Sequence, residues 1–321
     1  MKKTGLLLIL LFAAAAMAQQ AGSTPSDIAG PEGTAPTSAS FPLERVQTPT
    51  YADINCAGFI TKQLVPNANF ISGGLETPLA TKYGTGDIVY LAGHGYQLGQ
   101  QYTVVRELRN VNENELFPRQ RAILKQVGQP YSELARVRII DTRSKMAIAQ
   151  VEFSCDAVNP GDFVVPYVEK PPISFHPPLH FDRFAPTNGK LNGRIVMARD
   201  FDSLLGTGLK VYLNVGANQG VKVGDYFRAF RLYTDDLRDP VDSLSFKAST
   251  SEDTQKKEPS VDQHIFTKTG GPVIHVSNLP RRAVGEIVIL GTTSTTATGM
   301  IVFALEDVHT GDHVELDMQD Q

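Results

Sequence analysis

Alternation of apolar and polar residues is the main structural signal in this chain. Positions 147, 149, 151 and 153 carry Ala, Ala, Val and Phe, and positions 297, 299, 301 and 303 carry Ala, Gly, Ile and Phe. A period of two places one face of a β-strand on a core. We therefore predict two equivalent strands whose alternating residues, including Phe153 and Phe303, face a core.

The correspondence extends into an internal repeat. Residues 84–91 match residues 206–213 at six of eight positions, at an offset of 122. The offset then becomes 125, and residues 133–164 match residues 283–314 without a gap at an offset of 150. The repeat predicts two copies of one β-rich module. The change from 125 to 150 places extra residues in copy two, and we expect a mobile polar surface insert at about residues 234–282.

Glycine–aspartate pairs recur at the predicted strand ends. Glycine adopts dihedral angles that other residues avoid, and aspartate can accept hydrogen bonds from nearby backbone, so we interpret these pairs as structural turns rather than as catalytic carboxylates. Copy one has Gln100 where copy two has Asp225. The predicted turn residues are Gly161, Asp162, Gly224, Asp225, Gly311 and Asp312.

The predicted fold class is mainly β, with two tandem small β-barrel or sandwich-like modules. Module one spans residues 51–170 and module two spans residues 191–318. A proline-rich segment over 171–190 predicts an extended, semi-rigid connector between them. The helix signal is weak, and its best candidate, residues 113–126, is interrupted by Pro118.

The N-terminus has the pattern of a secretory signal peptide. Lys2 and Lys3 precede an apolar run over residues 5–16, which ends in Ala16-Met17-Ala18. This pattern predicts cleavage after Ala18, since the run is shorter than the roughly 20 residues that span a bilayer. Residues 19–50 are rich in Ser, Thr, Pro, Ala and Gly, which predicts a disordered linker. We expect a periplasmic, secreted or cell-surface protein with no transmembrane segment after cleavage.

Cysteine content and charge refine this picture. The chain has two cysteines, Cys56 and Cys155, and in an oxidising compartment an even number favours a disulfide. The alternative is two buried free thiols. The net charge is −4, and no long basic block stands out, so nucleic-acid binding is not expected.

Candidate chemistry is sparse. No nucleophile elbow, zinc-binding helix motif or phosphate loop occurs in the sequence. His309 and His313 flank the Thr310-Gly311-Asp312 turn and are weak zinc candidates, but an exposed polar turn is the favoured interpretation, because copy one has Asn159 and Phe163 at the equivalent places. Arg106 and Arg231 end equivalent strands and could present a charge to a partner. We expect no enzyme activity and no cofactor.

Copy two carries a recognisable pattern in residues 193–196, 211–227 and 285–288, closing with 308–312 (Val-His-Thr-Gly-Asp). The pattern resembles the C-terminal β module of the flagellar assembly protein T family, and also LysM-like or uncharacterised secreted bacterial envelope proteins. The resemblance covers about residues 190–317 well and residues 70–168 more loosely. It implies a structural or binding role in the cell envelope, with no active site to carry across.

Together these patterns predict a non-catalytic exported cell-envelope protein that acts as a binding or scaffold module. The expected partner is peptidoglycan or an envelope protein. The alternative is a secreted metal-dependent hydrolase with a site at the domain junction, for which His176, His180 and the His309–His313 turn would supply ligands.

Overall fold

The computed structural model describes seven ranges of the chain: residues 46–76, 79–109, 115–175, 181–232, 254–255, 274–275 and 280–317. The predicted signal peptide, the linker up to residue 45 and nearly all of the predicted insert lie outside these ranges. All of the described residues belong to one compact unit. Within the described residues, no helix combines the length and the apolar character needed to cross a membrane.

The first half of the described chain contains two short helices and seven strands. They are α1 (Tyr51–Asn55), β1 (Phe59–Thr61), β2 (Phe70–Gly74), β3 (Ile88–Ala92), β4 (Gln101–Glu107), α2 (Gln120–Val127), β5 (Gln129–Asp141), β6 (Ala147–Ser154) and β7 (Phe163–Pro166). Helix α2 begins two residues after Pro118, inside the segment for which the sequence predicts a helix.

The second half contains ten strands and a single 3-10 turn, Ala217–Gln219. The strands are β8 (Asn192–Ala198), β9 (Leu204–Leu205), β10 (Lys210–Leu213), β11 (Tyr226–Arg231), β12 (Thr254–Gln255), β13 (Ile274–His275), β14 (Arg282–Thr292), β15 (Ala297–Ala304), β16 (Val308–His309) and β17 (His313–Asp317).

The strands form two closed six-stranded barrels, which confirms the predicted mainly-β fold with two tandem small barrels. Barrel one has the order β2-β3-β6-β5-β4-β7 and closes through β7 and β2, while β1 extends the sheet beside the start of β5. Barrel two has the order β8-β10-β15-β14-β11-β17 and closes through β17 and β8. Each strand of barrel one has the same neighbours as its counterpart in barrel two.

The strand registers repeat as well. Val89 pairs with Ala149 in barrel one, and Val211 pairs with Gly299 in barrel two, at the offsets of 122 and 150 read from the sequence. Each barrel encloses its own apolar core. The repeat therefore duplicates topology, register and core.

The predicted inward direction of Phe153 and Phe303 is wrong. Val137 pairs with Val151 but Arg136 pairs with Phe153, so Glu152 is an extra residue in a β-bulge. A bulge reverses which face the following side chain occupies. Phe153 consequently lies on the outer face, where its ring meets the Tyr51 ring edge-on at 5.5 Å. The same bulge in barrel two places Phe303 against Phe181.

The glycine–aspartate segments form turns that depend on left-handed backbone. Gly161 and Gly311 have φ angles of 94° and 112°, and Gly224 has a φ angle of 91°. The Asp225 carboxylate accepts a hydrogen bond from the Lys222 backbone N–H at 2.8 Å. These turns lead into β7, β17 and β11.

Arg106 and Arg231 bind the aspartates of these turns. Each arginine donates two hydrogen bonds to one carboxylate, Arg106 to Asp162 and Arg231 to Asp312, at 2.7 and 2.8 Å in both barrels. Each guanidinium charge is therefore paired with a carboxylate of its own barrel.

The predicted disulfide is confirmed: Cys56 is bonded to Cys155. Cys56 directly follows α1, and Cys155 directly follows β6, so the bond ties the N-terminal segment to barrel one. The same segment then contacts barrel two, where the Thr298 hydroxyl donates to the Gly58 carbonyl at 2.9 Å and the Tyr212 hydroxyl donates to the Ala57 carbonyl at 3.1 Å. The N-terminal segment therefore joins the two barrels.

Apolar packing also holds the two barrels together. Helix α2 and Ile60 pack with Val196, Met197 and Tyr212 on the outer face of barrel two. The buried Gln120 side chain donates to the Val196 carbonyl at 2.9 Å. On another face of barrel two, residues 173–175 and Phe181, from the predicted connector, cover an apolar surface of β14 and β15.

Candidate binding groove

A groove of about 370 Å³ lies where the outer face of barrel one meets α1 and barrel two. Tyr51 from α1, Arg136 from β5 and Tyr167, just after β7, form its aromatic and basic part, which we call the Tyr–Arg–Tyr site. Barrel two contributes Val223 and Leu290. The groove thus draws on three parts of the chain that are distant in sequence.

Helix α1 places Tyr51 at the groove. Thr50 and Asp53 form a capping box, in which the Thr50 hydroxyl accepts from the Asp53 N–H at 3.2 Å and the Asp53 carboxylate accepts from the Thr50 N–H at 2.8 Å. Asp53 also forms an ion pair with Lys210 of barrel two. Although burial acts to raise the pKa of Asp53, hydrogen bonds from Lys210 and Thr50 lower it below the ordinary 3.8.

The Arg136 guanidinium lies between two tyrosine rings. Its central carbon is 5.8 Å from the Tyr51 ring centroid and 5.1 Å from the Tyr167 ring centroid, both within the range of cation–π attraction. Arg136 also donates a hydrogen bond to the Tyr51 hydroxyl. Burial acts to lower the pKa of Arg136, but its contacts with Tyr167 and Tyr51 raise the pKa overall. The site therefore keeps its positive charge at any physiological pH.

Glu152 holds Arg136 from the other side. A Glu152 carboxylate oxygen lies 3.3 Å from Arg136 Nε, and the carboxylate also accepts from Gln101 at 2.6 Å and pairs with Arg138. Burial acts to raise the pKa of Glu152, while Arg138, Gln101 and Arg136 lower it below the ordinary 4.5. The position of the guanidinium is thus set before any partner arrives.

Glu133 and Lys170 line the groove near the disulfide. Lys170 Nζ donates to the Glu133 carboxylate at 2.6 Å and to the Ile54 carbonyl at 2.9 Å. The same carboxylate accepts from the Gly58 N–H at 3.0 Å. Because the Glu133 carboxylate already accepts hydrogen bonds from Lys170 and from the Gly58 N–H, its role here is to hold the N-terminal segment in place.

Exposed side chains complete the rim of the groove. The Tyr51 side chain is 52% exposed and Val168 is 75% exposed. Tyrosine and arginine are enriched among the residues that dominate binding energy at interfaces. The arrangement can bind a partner through ring stacking, apolar contact and hydrogen bonds to the guanidinium.

A larger hollow of about 760 Å³ lies between residues 46–48 and the end of β15. One of its two charged lining residues, Glu306, already pairs with Arg282 at 3.1 Å. None of the described residues that line it is aromatic or basic, so it offers fewer groups for recognition than the groove does.

The histidine candidates do not assemble a metal site within the part of the chain that the structure describes. The backbone N–H of His309 donates a hydrogen bond to the Asp312 carboxylate at 2.7 Å, as part of the turn. The His313 ring stacks on the Phe230 ring, with 5.6 Å between the ring centroids. No group of three His, Cys, Asp or Glu side chains suited to a metal occurs among the described residues. His176 and His180 lie outside them.

Sequence reasoning did not identify the Tyr–Arg–Tyr site. One signal was available: copy one carries charged Arg136 and Glu152 where copy two carries Glu286 and Val302. A difference between two copies of one module marks a surface that the copies use differently.

No protein-family model matches this chain, and no curated protein is similar enough to match it. The resemblance to the flagellar assembly protein T module therefore stays a prediction.

Proposed function

We propose that this protein is a non-catalytic, exported cell-envelope protein that acts as a binding or scaffold module through the Tyr–Arg–Tyr site. The single observation that carries the proposal is Arg136, held between the rings of Tyr51 and Tyr167 at the rim of a groove. The pattern of a signal peptide supports export. The expected partner is peptidoglycan or another envelope protein.

The construction of the groove supports binding in preference to reaction chemistry. The buried carboxylate of the groove, Glu133, binds Lys170 and the Gly58 N–H, and the carboxylate behind Arg136, Glu152, binds Arg136, Arg138 and Gln101. Rigid aromatic side chains lose little conformational entropy on binding, and a guanidinium fixed in advance loses less still. Such a site favours recognition of a partner at low entropic cost.

Peptidoglycan offers groups that suit this site. Its sugar rings present apolar faces to tyrosine, and its peptide stems present carboxylates and amides to an arginine. An envelope protein would use a tyrosine- and arginine-rich site through an apolar side chain and an adjacent carboxylate. Both partners require Arg136 and Tyr167, so the same variants test both.

The test is co-sedimentation of residues 19–321 with purified peptidoglycan sacculi at low and moderate salt. We expect the wild-type protein to sediment at both salts, and Arg136→Ala and Tyr167→Ala to weaken binding by about tenfold or more. Arg143→Ala is the matched control, because Arg143 is a 90% exposed arginine on the same barrel, outside the groove lining.

Protein that stays in the supernatant at both salts would contradict direct wall binding. Crosslinking in the envelope would then identify a protein partner, with loss of the crosslink in Tyr167→Ala as the criterion. If neither ligand depends on Arg136 or Tyr167, the groove is not the binding site.

A further inference from the structure

Three apolar residues are exposed at one end of barrel one, two in loops and one at the end of strand β5. Leu98 is 69% exposed, Ile140 43% and Met146 40%, and we call them the apolar corner. The loop that contains Leu98 lies beside the end of β5 in space, because the Gly99 N–H donates to the Ile139 carbonyl at 2.8 Å. Met146 ends the turn between β5 and β6. The three side chains therefore belong to one surface.

Positive charges project around the apolar corner. The Arg143 side chain is 90% exposed, Arg138 is 45% exposed and Lys145 is also exposed. The neighbouring carboxylates are recessed, with Asp141 at 21% and Glu152 at 23% exposure. Arg143 holds the pKa of Asp141 low, at about 2, so this carboxylate stays ionised and paired. The most exposed charges beside the apolar corner are consequently those of Arg143 and Lys145, which are positive.

The equivalent corner of barrel two is a contact surface. The residues at the same positions are Val223, Leu290 and Thr296, at offsets of 125 and 150. Leu290 and Thr296 are each 1% exposed, and the Thr296 hydroxyl donates to the Ile60 carbonyl at 2.6 Å. Barrel two thus meets the N-terminal segment through this corner, whereas no described residue covers the same corner of barrel one.

The apolar side chains and positive charges of this corner indicate which kind of partner binds there. A second copy of the chain, docking corner to corner, would bring the two sets of cations together. Three exposed side chains also offer far less surface than the roughly 1,000 Å² of a stable protein interface. A lipid surface needs only shallow insertion of a few apolar side chains, and basic residues beside them are attracted to anionic headgroups.

We propose that the apolar corner docks barrel one onto an anionic lipid surface. Leu98, Ile140 and Met146 enter the boundary between headgroups and acyl chains, and Arg143 and Lys145 face the lipid phosphates. This inference does not depend on the Tyr–Arg–Tyr site, because the residues of the apolar corner, Arg143 and Lys145 are outside the groove lining, and it adds a second contact to a protein proposed to bind in the envelope.

The test is vesicle co-sedimentation with residues 19–321, because the apolar run at residues 5–16 would itself bind lipid. Vesicles contain equal parts of phosphatidylethanolamine and phosphatidylglycerol, or phosphatidylcholine alone. We expect sedimentation with the anionic vesicles that is about tenfold stronger than with phosphatidylcholine and decreases with salt. Leu98→Asp with Met146→Asp should lower anionic binding by about tenfold or more, and Arg143→Ala with Lys145→Ala should lower it and its salt dependence.

Tyr167→Ala is the control, and it should bind the vesicles like the wild type. Circular dichroism and thermal unfolding establish that each variant is folded. The proposal is overturned if the wild type stays in the supernatant with anionic vesicles, or if the aspartate variant binds them undiminished. It is also overturned if light scattering shows a wild-type dimer that the aspartate variant dissociates, because the corner would then join two copies.

Discussion

At the scale of single residues, the most informative feature is an arginine–aspartate pair that occurs once in each barrel. Arg106 and Arg231 also donate to the equivalent carbonyls of Ala157 and Asp307, at 2.9 and 2.8 Å. In each barrel the arginine is the last or the second-last residue of one strand, and the aspartate sits in the turn before the last strand. The pair thus fixes that turn against the barrel, and its two copies differ mainly in burial.

This difference in burial predicts unequal mutational effects. The Arg231 and Asp312 side chains are 6% and 4% exposed, whereas Arg106 is 30% exposed. Arg231→Ala leaves a buried carboxylate without its partner and should lower the free energy of unfolding by about 3–5 kcal/mol. Arg106→Ala should lower the free energy of unfolding by only about 2 kcal/mol, because water can reach the site that the arginine leaves. Urea unfolding measures both, and equal losses would contradict the argument.

Asp53 predicts a dependence on pH. Its pKa in the folded protein lies below the ordinary 3.8, so the pair with Lys210 stabilises the fold above that pH and is lost as the pH falls through the folded pKa. Asp53→Asn should therefore destabilise the protein near neutral pH and progressively less as the pH falls below 3.8. Urea unfolding across this range gives the difference, and a difference that does not change with pH would refute the assignment.

At the scale of elements, the repeat predicted the strands well, because side-chain period and turn glycines are local signals. Strands around residues 147–153 and 297–303 follow directly from the alternation. The bulges at Glu152 and its counterpart Val302 were not predictable in this way. A bulge depends on how the partner strand pairs, which a single strand does not encode.

The outer faces of the barrels were only partly predictable. β6 alternates in burial, whereas β15 is buried almost throughout, because the chain itself covers the outer face of barrel two. The sequence carries a trace of this: Gln150 and Glu152 in copy one correspond to Met300 and Val302 in copy two. The groove was not predictable, since it depends on how α1 and barrel two meet barrel one.

The disulfide acts on an element that touches both barrels. Cys56→Ser with Cys155→Ser opens a loop with a sequence separation of 99 and should lower the free energy of unfolding by about 4–5 kcal/mol in the loop-entropy model. It should also free Tyr51 from Arg136 and weaken binding at the groove. Urea unfolding with and without a reductant measures the first effect. A reductant should shift the wild type and leave the double variant unchanged.

At the scale of the whole molecule, hydroxyl groups of barrel two hold the backbone of the N-terminal segment. Thr298→Val keeps the side-chain shape but leaves the buried Gly58 carbonyl without its donor. We expect the free energy of unfolding to fall by about 1–3 kcal/mol. We also expect the backbone amides of barrel one to exchange faster with solvent, because barrel one should open more readily. Thr142→Val, in the exposed β5–β6 turn, is the control and should change little. An unchanged exchange pattern in Thr298→Val would show that this bond does not couple the barrels.

The position of the disulfide also sets how the molecule responds to a pull on its ends. Tension on residue 46 reaches α1 first, and the covalent bond passes it to Cys155 without extending the chain between the cysteines. That stretch would otherwise add about 330 Å of length when unravelled. Under oxidising conditions barrel one can therefore release only its short β7 end, and barrel two must supply most of the extension.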